Sequence, residues 1–374
     1  MKMIIGGDLV PTKSNIDLFN SGNISELIGE SLLSIWDDVD FKIFNLEVPL
    51  ADRVTPIDKC GPNLISPTSA IKGIKALNPS LITLANNHIL DHGIEGLNST
   101  VKVLTKNNIP YVGVGENLNT ASKPYILEHK GIKVGVYACS EHEFSIATKD
   151  TPGANPFDLL ESFDHIRQLK EECDRVIVLY HGGKEHYQYP SPILQKVCRK
   201  IVENGADLVI CQHSHCIGCE EVYKGSTIVY GQGNFIFDGL NNEFWNTGLL
   251  LKVNINEALQ VDYIPIIKKG NTIRLATDRF EQDILESFYN RSREILKDNF
   301  IEQQYQIFAD KALEAYFRKL LGFGKWLGRI DRFVFKGRLS KHRYSKSNIL
   351  AIQNAIECES HRELMLTGLK NSNK

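Results

Sequence analysis

The stretch 201-IVENGADLVICQHSHCIGCEEVYKGSTIVYGQGNFIFD-238 decides how this chain is read. It opens on the end of a helix, passes into an apolar run at 208–211, and meets a polar loop that carries His213 and His215. Lys224-Gly225 marks a hairpin, and a further strand closes on Gly233-Asn234-Phe235. A strand that stops at such a loop fixes the backbone and frees the side chains. Two imidazoles at alternate positions can then face one cleft, a geometry that holds metal ions.

An isolated His-x-His is more often an ordinary polar loop, but the chain repeats the pattern four more times. Residues 3–5 form a short strand that runs into Gly6-Gly7-Asp8, and 41–44 deliver Asn45 and Glu47. The run 81–85 ends on Asn86-Asn87-His88, followed by Asp91-His92-Gly93, and 175–180 ends on His181-Gly182-Gly183. Polar clusters of this density cost folding free energy unless they do something. Amphipathic or helical segments are expected at 24–36, 66–77, 94–106, 163–173 and 193–203. Further strands are expected at 111–114, 121–127 and 132–139, with an antiparallel edge at 249–255 and 261–267. This alternation predicts an α/β layered core. Cys139-Ser140-Glu141-His142 reads as a rim or substrate-side loop.

With 374 residues, 42% hydrophobic and 24% charged, the chain can bury one large core or two ordinary ones. A formal net charge of -2 gives no global attraction to polyanions, so no nucleic-acid partner is expected. Eight scattered cysteines, several inside apolar runs, read as thiols in a reducing compartment and not as a disulfide framework. Neither a secretory signal pattern nor an apolar run of membrane-spanning length is evident, and the expected location is the cytoplasm. Cys216 and Cys219 make a Cys-x-x-Cys, but a second such pair is missing and the flanking histidines are already committed.

Carboxylate, amide oxygen and imidazole together suit one or two borderline-to-hard divalent ions such as Mn, Fe or Zn. Such a centre points to hydrolysis. The chain resembles the CapA (PgsA, poly-γ-glutamate capsule biosynthesis) family, a branch of the calcineurin-like metallophosphoesterases. The matching pieces are GGD at 6–8, NLEVPL at 45–50, LANNHILDHGIEGL at 84–97, HGGKEH at 181–186, GADLVICQHSH at 205–215 and IVYGQGNFIFD at 228–238. They stand in the family order and cover roughly residues 1–270.

The resemblance implies a four-layer αββα sandwich of the metallophosphoesterase type, with the metal site at the strand ends. It assigns Asp8 and His215 to one metal, Asn87, His181 and His213 to a second, and Glu47 to the bridging position. His88 takes the role of phosphate-contacting general acid, and Asn45, Glu185 and Asn234 are assigned to the substrate side. Two departures stand out. The wider superfamily opens on Asp-x-His, whereas Leu9-Val10 follow Asp8, and its second-motif aspartate is here the longer Glu47. The first departure leaves one imidazole fewer for the first metal.

Three readings of function follow. One is a metal-dependent hydrolase of a phosphoester, acting on a phosphorylated or polymeric small substrate in capsule or cell-envelope metabolism. Another is an accessory or transfer factor in assembling poly-γ-glutamate or another capsule polymer, with amide chemistry. The third is a binding module without turnover. The metallophosphoesterase domain is expected to occupy 1–275 and a helical extension 276–374. Within the extension, 318–346 is rich in Lys and Arg and carries apolar residues at roughly helical spacing, the pattern of a basic amphipathic helix. Peripheral contact with the inner face of a membrane is expected there.

Overall fold

The computed structural model describes residues 1–239, 241–339 and 344–372. Two sheets carry the first part of the chain. In the eight-stranded sheet Lys2–Val10 is central, with Phe41–Leu46, Leu81–Thr83 and Tyr111–Val112 following in parallel on one side. On the other side the first half of Lys2–Val10 pairs antiparallel with Thr247–Ile255, which leads outward to Leu259–Lys269 and Thr272–Leu275. Its second half pairs in parallel with Asn234–Phe237. The six-stranded sheet runs Glu220–Tyr223, Ser226–Val229, Leu208–Gln212, Arg175–His181, Ile132–Ser140 and Tyr125–His129, parallel except at its two edges.

Period-two alternation in the strands sorts side chains into layers. Met3, Ile5, Ile177, Leu179, Leu208 and Ile210 fill the space between the sheets. Ile4 and Phe44 point outward onto Trp36, Ile74 and Leu97, on the helices Glu30–Asp37, Ile71–Ala76 and Gly93–Lys106. Val178, Val209 and Cys211 pack on Ile166 of Ser162–Glu172 and Ile201 of Pro192–Glu203. The result is a helix–sheet–sheet–helix sandwich with three apolar layers. Ser191 caps the last of these helices by accepting the Leu194 N–H, with proline at the first helical turn.

The quoted stretch crosses from one sheet to the other. Ser226–Val229 lies in the six-stranded sheet and Asn234–Phe237 in the eight-stranded one, so residues 208–237 stitch the layers together where both sheets expose their carboxyl ends. The hairpin falls at Lys224-Gly225, both at positive φ.

Several elements differ from expectation, each for a local reason. The strand expected at 3–5 runs to Val10, so Asp8 lies within it, next to an irregularity in pairing between Ile5 and Asp8. Gly7 makes this feasible, because a Cβ there would sit 2.2 Å from the Gly233 carbonyl oxygen. Gly29, at φ +79°, splits the segment 24–36 into Ile24–Ile28 and Glu30–Asp37. A capping box between Asn117 and Thr120 makes Leu118–Ala121 helical, and the strand expected at 121–127 starts only at Tyr125.

The chain divides into compact units Met1–Ile301 and Glu302–Lys374. Asp278–Glu294, which follows the domain expected at 1–275, lies in the first unit. Its Phe288 is fully buried in the inter-sheet layer, worth about 2–3 kcal/mol, and Arg291 Nε donates to the Gly218 carbonyl at 2.7 Å. In the second unit the helix Lys325–Phe333 realises part of the expected basic amphipathic segment; residues 340–343 of that segment lie outside the described residues. Among the described residues no helix is long and apolar enough to cross a membrane.

Candidate metal centre

Strand register brings the polar strand ends to one level. Asp8 stands opposite Asn45 on one side and Asn234 on the other, and His181 stands opposite Gln212 and Ser140. The eight-stranded sheet therefore contributes Asp8, Asn45 and Asn234, with Glu47 just beyond its strand. The six-stranded sheet contributes His181 and the loop bearing His213 and His215. Both loop histidines are held at positive φ, +82° and +51°, a region that residues with side chains rarely occupy. Strain of this kind persists where the surrounding structure fixes the backbone for a purpose.

Two groups of buried ligands result, each with its candidate ligand atoms within 4.8 Å of one another: Glu47, His181 and His213, and Asp8, Glu47 and His215. Glu47 belongs to both. His181 Nε2 lies 3.0 Å from Asn87 Oδ1 and 3.2 Å from Glu47 Oε1. Neighbouring ligands of an ion bound at about 2.1 Å are themselves about 3 Å apart, and these separations match. Asn87 is pinned with its amide oxygen toward His181, because its Nδ2 donates to Glu143 at 3.2 Å. On the other side His215 Nδ1 is 3.5 Å from Asp8 Oδ2 and 2.9 Å from Asn234 Oδ1. Asn45 Nδ2 donates to Asp8 Oδ1 at 2.8 Å and lies 3.3 Å from His181 Nδ1, tying the sides together.

The donor set fits a cation. Both carboxylate oxygens of Glu47 and Nδ1 of His213 are buried and have no hydrogen-bond partner, a costly arrangement for a folded protein unless something positive completes it. Burial, reinforced by the charge of Asp8, pushes the Glu47 carboxyl up to about 8. Burial also lowers His181, and lowers His213 well below the ordinary imidazole value, where neighbouring His181 and His215 add to the effect. Neutral imidazoles are ready to accept a metal ion, and a cation entering beside them would displace the proton that burial keeps on Glu47.

His88 lies at the rim of the pair. Its Nδ1 contacts Asp91 Oδ2 at 2.6 Å, and its charge reaches both Glu47 and His213. Lys59, almost wholly buried, pairs with Asp91 and lies 3.3 Å from His88 Nδ1. Glu185 is exposed, and it reaches Glu47 through its charge alone. Asn234 is buried against His215, and its Nδ2 has no partner.

The sequence did not single out Lys59, Glu143, His186 or Trp245. Trp245 Nε1 donates to His186 Nε2 at 3.0 Å, and the Trp245 ring centroid lies 5.0 Å from that of His215, walling the Asp8 side. His186 sits within the quoted HGGKEH run and so carried a signal. Lys59 and Glu143 come from loops and Trp245 from the short helix Glu243–Asn246, and only the fold determines their approach.

Carboxylate, amide and imidazole groups of the kinds that hold divalent ions thus gather at the strand ends of a four-layer αββα sandwich. Residues 2–239 match the family described as bacterial capsule synthesis protein PGA_cap, and the chain belongs to that family. It is 31% identical over 182 residues to the capsule biosynthesis protein CapA of Bacillus anthracis, covering 47% of this chain and 44% of that one. Over 173 residues it is 32% identical to the PGA biosynthesis protein CapA of Bacillus subtilis, covering 45% of each. The chain thus spans a little under half the length of these relatives. Among solved structures, a novel phosphatase from Mycoplasma pneumoniae aligns with TM-score 0.46 and 15% identity, over 72% of this chain and 94% of that one. A putative 5'-nucleotidase from Staphylococcus aureus gives 0.45 and 15%, over 77% and 58%. Likeness this loose says nothing of activity.

Proposed function

We propose that this chain is a metal-dependent phosphoester hydrolase acting in capsule or envelope polymer metabolism. The observation that carries the reading is the pair of buried ligand groups that share Glu47 and leave its oxygens without partners. Asp8 and His215 would hold one ion, Asn87, His181 and His213 a second, with Glu47 between them. Bound divalent ions supply Lewis acidity and a nucleophile at neutral pH. The chain's own residues do the rest. Asn45 fixes the Asp8 carboxylate, Glu143 fixes the Asn87 amide, and Asp91 orients the His88 ring through Nδ1, leaving Nε2 as the atom that can pass a proton to a leaving group. Asn234 and Glu185 border the space a substrate would take. Lys59 stabilises the buried Asp91 carboxylate, which would otherwise be costly.

An accessory role in polymer synthesis is the second reading. It is favoured by the names of the relatives, which include a probable polyglutamine synthesis accessory protein of Mycobacterium tuberculosis, 30% identical over 181 residues. Hydrolysis of a generic aryl phosphate, with and without added Mn, separates the two. Metal-dependent turnover that falls in His88→Ala supports the hydrolase. A protein that binds Mn and leaves every phosphoester intact overturns it in favour of the accessory role.

A further inference from the structure

Among the described residues of the second compact unit, one helix has an apolar side that nothing in that unit covers. In Lys325–Phe333 and the residue after it, Trp326, Ile330 and Phe333 fall on one side at helical spacing, flanked by Val334. Trp326 is 75% exposed, Phe333 71% and Val334 67%, unusual for side chains of this size. Arg329 and Arg332 precede Ile330 and Phe333 by one position each. Their cations border the apolar strip: the Arg329 guanidinium lies 5.8 Å from the Trp326 ring centroid, and that of Arg332 5.4 Å from Phe333.

The one acidic residue of the helix, Asp331, is turned inward. It is fully buried, accepts the Leu339 N–H at 3.0 Å, and stands 3.9 Å from Arg318. The outer side is thereby left apolar in the middle and cationic at its border. Beside it opens a groove of ≈ 740 Å³, lined by Arg318, Lys319, Arg329 and Arg332 with Phe323 and Phe333. Cations over a groove and aromatic rings in the open complement a surface with anionic headgroups outside and hydrocarbon beneath.

We propose that Lys325–Phe333, with Val334, is an interfacial helix that rests on anionic phospholipid, its apolar strip in the acyl boundary and its arginines among the headgroups. A second copy of the chain fits this surface poorly. An isologous contact would bring the cationic borders of both copies, Arg329 and Arg332 of each, into one interface without an acidic partner on the helix's outer side.

The test is flotation of the full chain with phosphatidylcholine vesicles, with and without phosphatidylglycerol, at low and high salt. Recovery with the anionic vesicles alone, weakened by salt, is expected. Arg329→Glu with Arg332→Glu should weaken it at least about tenfold, and Trp326→Ala with Phe333→Ala should abolish it. Wild-type tryptophan emission gives an independent readout. Trp36 and Trp245 are buried, so a blue shift on anionic vesicles that disappears in Trp326→Phe reports insertion of Trp326 itself. Equal recovery on neutral vesicles, recovery on neither, unchanged binding by both double variants, or lipid-free dimerisation abolished by the same substitutions would overturn the proposal.

Discussion

The two sides of the candidate metal centre are built to different standards. On the Asn87–His181–His213 side, donor atoms converge at 3.0 and 3.2 Å, Asn87 is locked by Glu143, and the His213 Nδ1 has nothing to bond. On the Asp8–His215 side the atoms are already occupied. Asp8 accepts from Asn45 Nδ2 and the His213 N–H, and His215 Nδ1 is bonded to Asn234. Leu9-Val10 also follow Asp8 where the wider superfamily carries a further imidazole. A cation entering the first side displaces the Asn87–His181 hydrogen bond but gains the partnerless His213 Nδ1, whereas on the second side every ligand except the shared Glu47 is already hydrogen-bonded. The first side should therefore hold its ion more tightly.

The comparison breaks most directly at His181. In His181→Ala the tighter affinity should fall by more than the roughly 10–100-fold that losing an outer hydrogen-bond partner costs. Calorimetric Mn titration reads it, and an unchanged high-affinity step would equalise the two sides. His88→Ala should keep both ions yet lose about 100-fold in aryl phosphate turnover. Loss of metal in that variant would move His88 from proton transfer into the ligand set.

A smaller effect sharpens the contrast. Glu143→Leu removes the acceptor that orients Asn87 and should weaken the first side roughly 10–100-fold or less, whereas Asn234→Leu frees His215 Nδ1 and should strengthen the second. Titration curves in which both variants weaken the same step would erase the distinction. The mildest lever is pH. Because burial holds the Glu47 carboxyl protonated up to about 8, a cation competes with that proton below this pH and not above it. Metal affinity should rise as pH approaches 8, by up to about tenfold per unit, and then level off. Calorimetry in buffers of different protonation enthalpy should show a proton released below pH 8; an affinity flat with pH would contradict the buried, protonated carboxyl.

Most of this centre was legible in the sequence because its residues sit where apolar runs stop. Asn45 and His181 sit in the last two residues of their strands and Glu47, Asn87, His213 and His215 beyond the ends of theirs, and the fold gathers them with Asp8. Asp8 itself was placed at a strand end, although it lies inside a strand, because the chain's passage through Gly6-Gly7 depends on the approach of Gly233 from more than 200 residues away. Lys59 reaches Asp91 from a loop without regular pattern, and Trp245 reaches His215 only because Asn234–Phe237 changes sheets. Asp278–Glu294 has the charge of a surface helix, and its hold on the first unit rests on Phe288, with Ile284 beside it, reaching the inter-sheet core.

The central claim is a shared site of unequal halves, and Mn binding followed by loss of the free-ion paramagnetic signal tests it most directly. The account predicts two saturable steps in the wild-type chain, the tighter one missing in His181→Ala and the weaker one missing in Asp8→Ala. No saturable binding, or one curve that both variants alter alike, would contradict it.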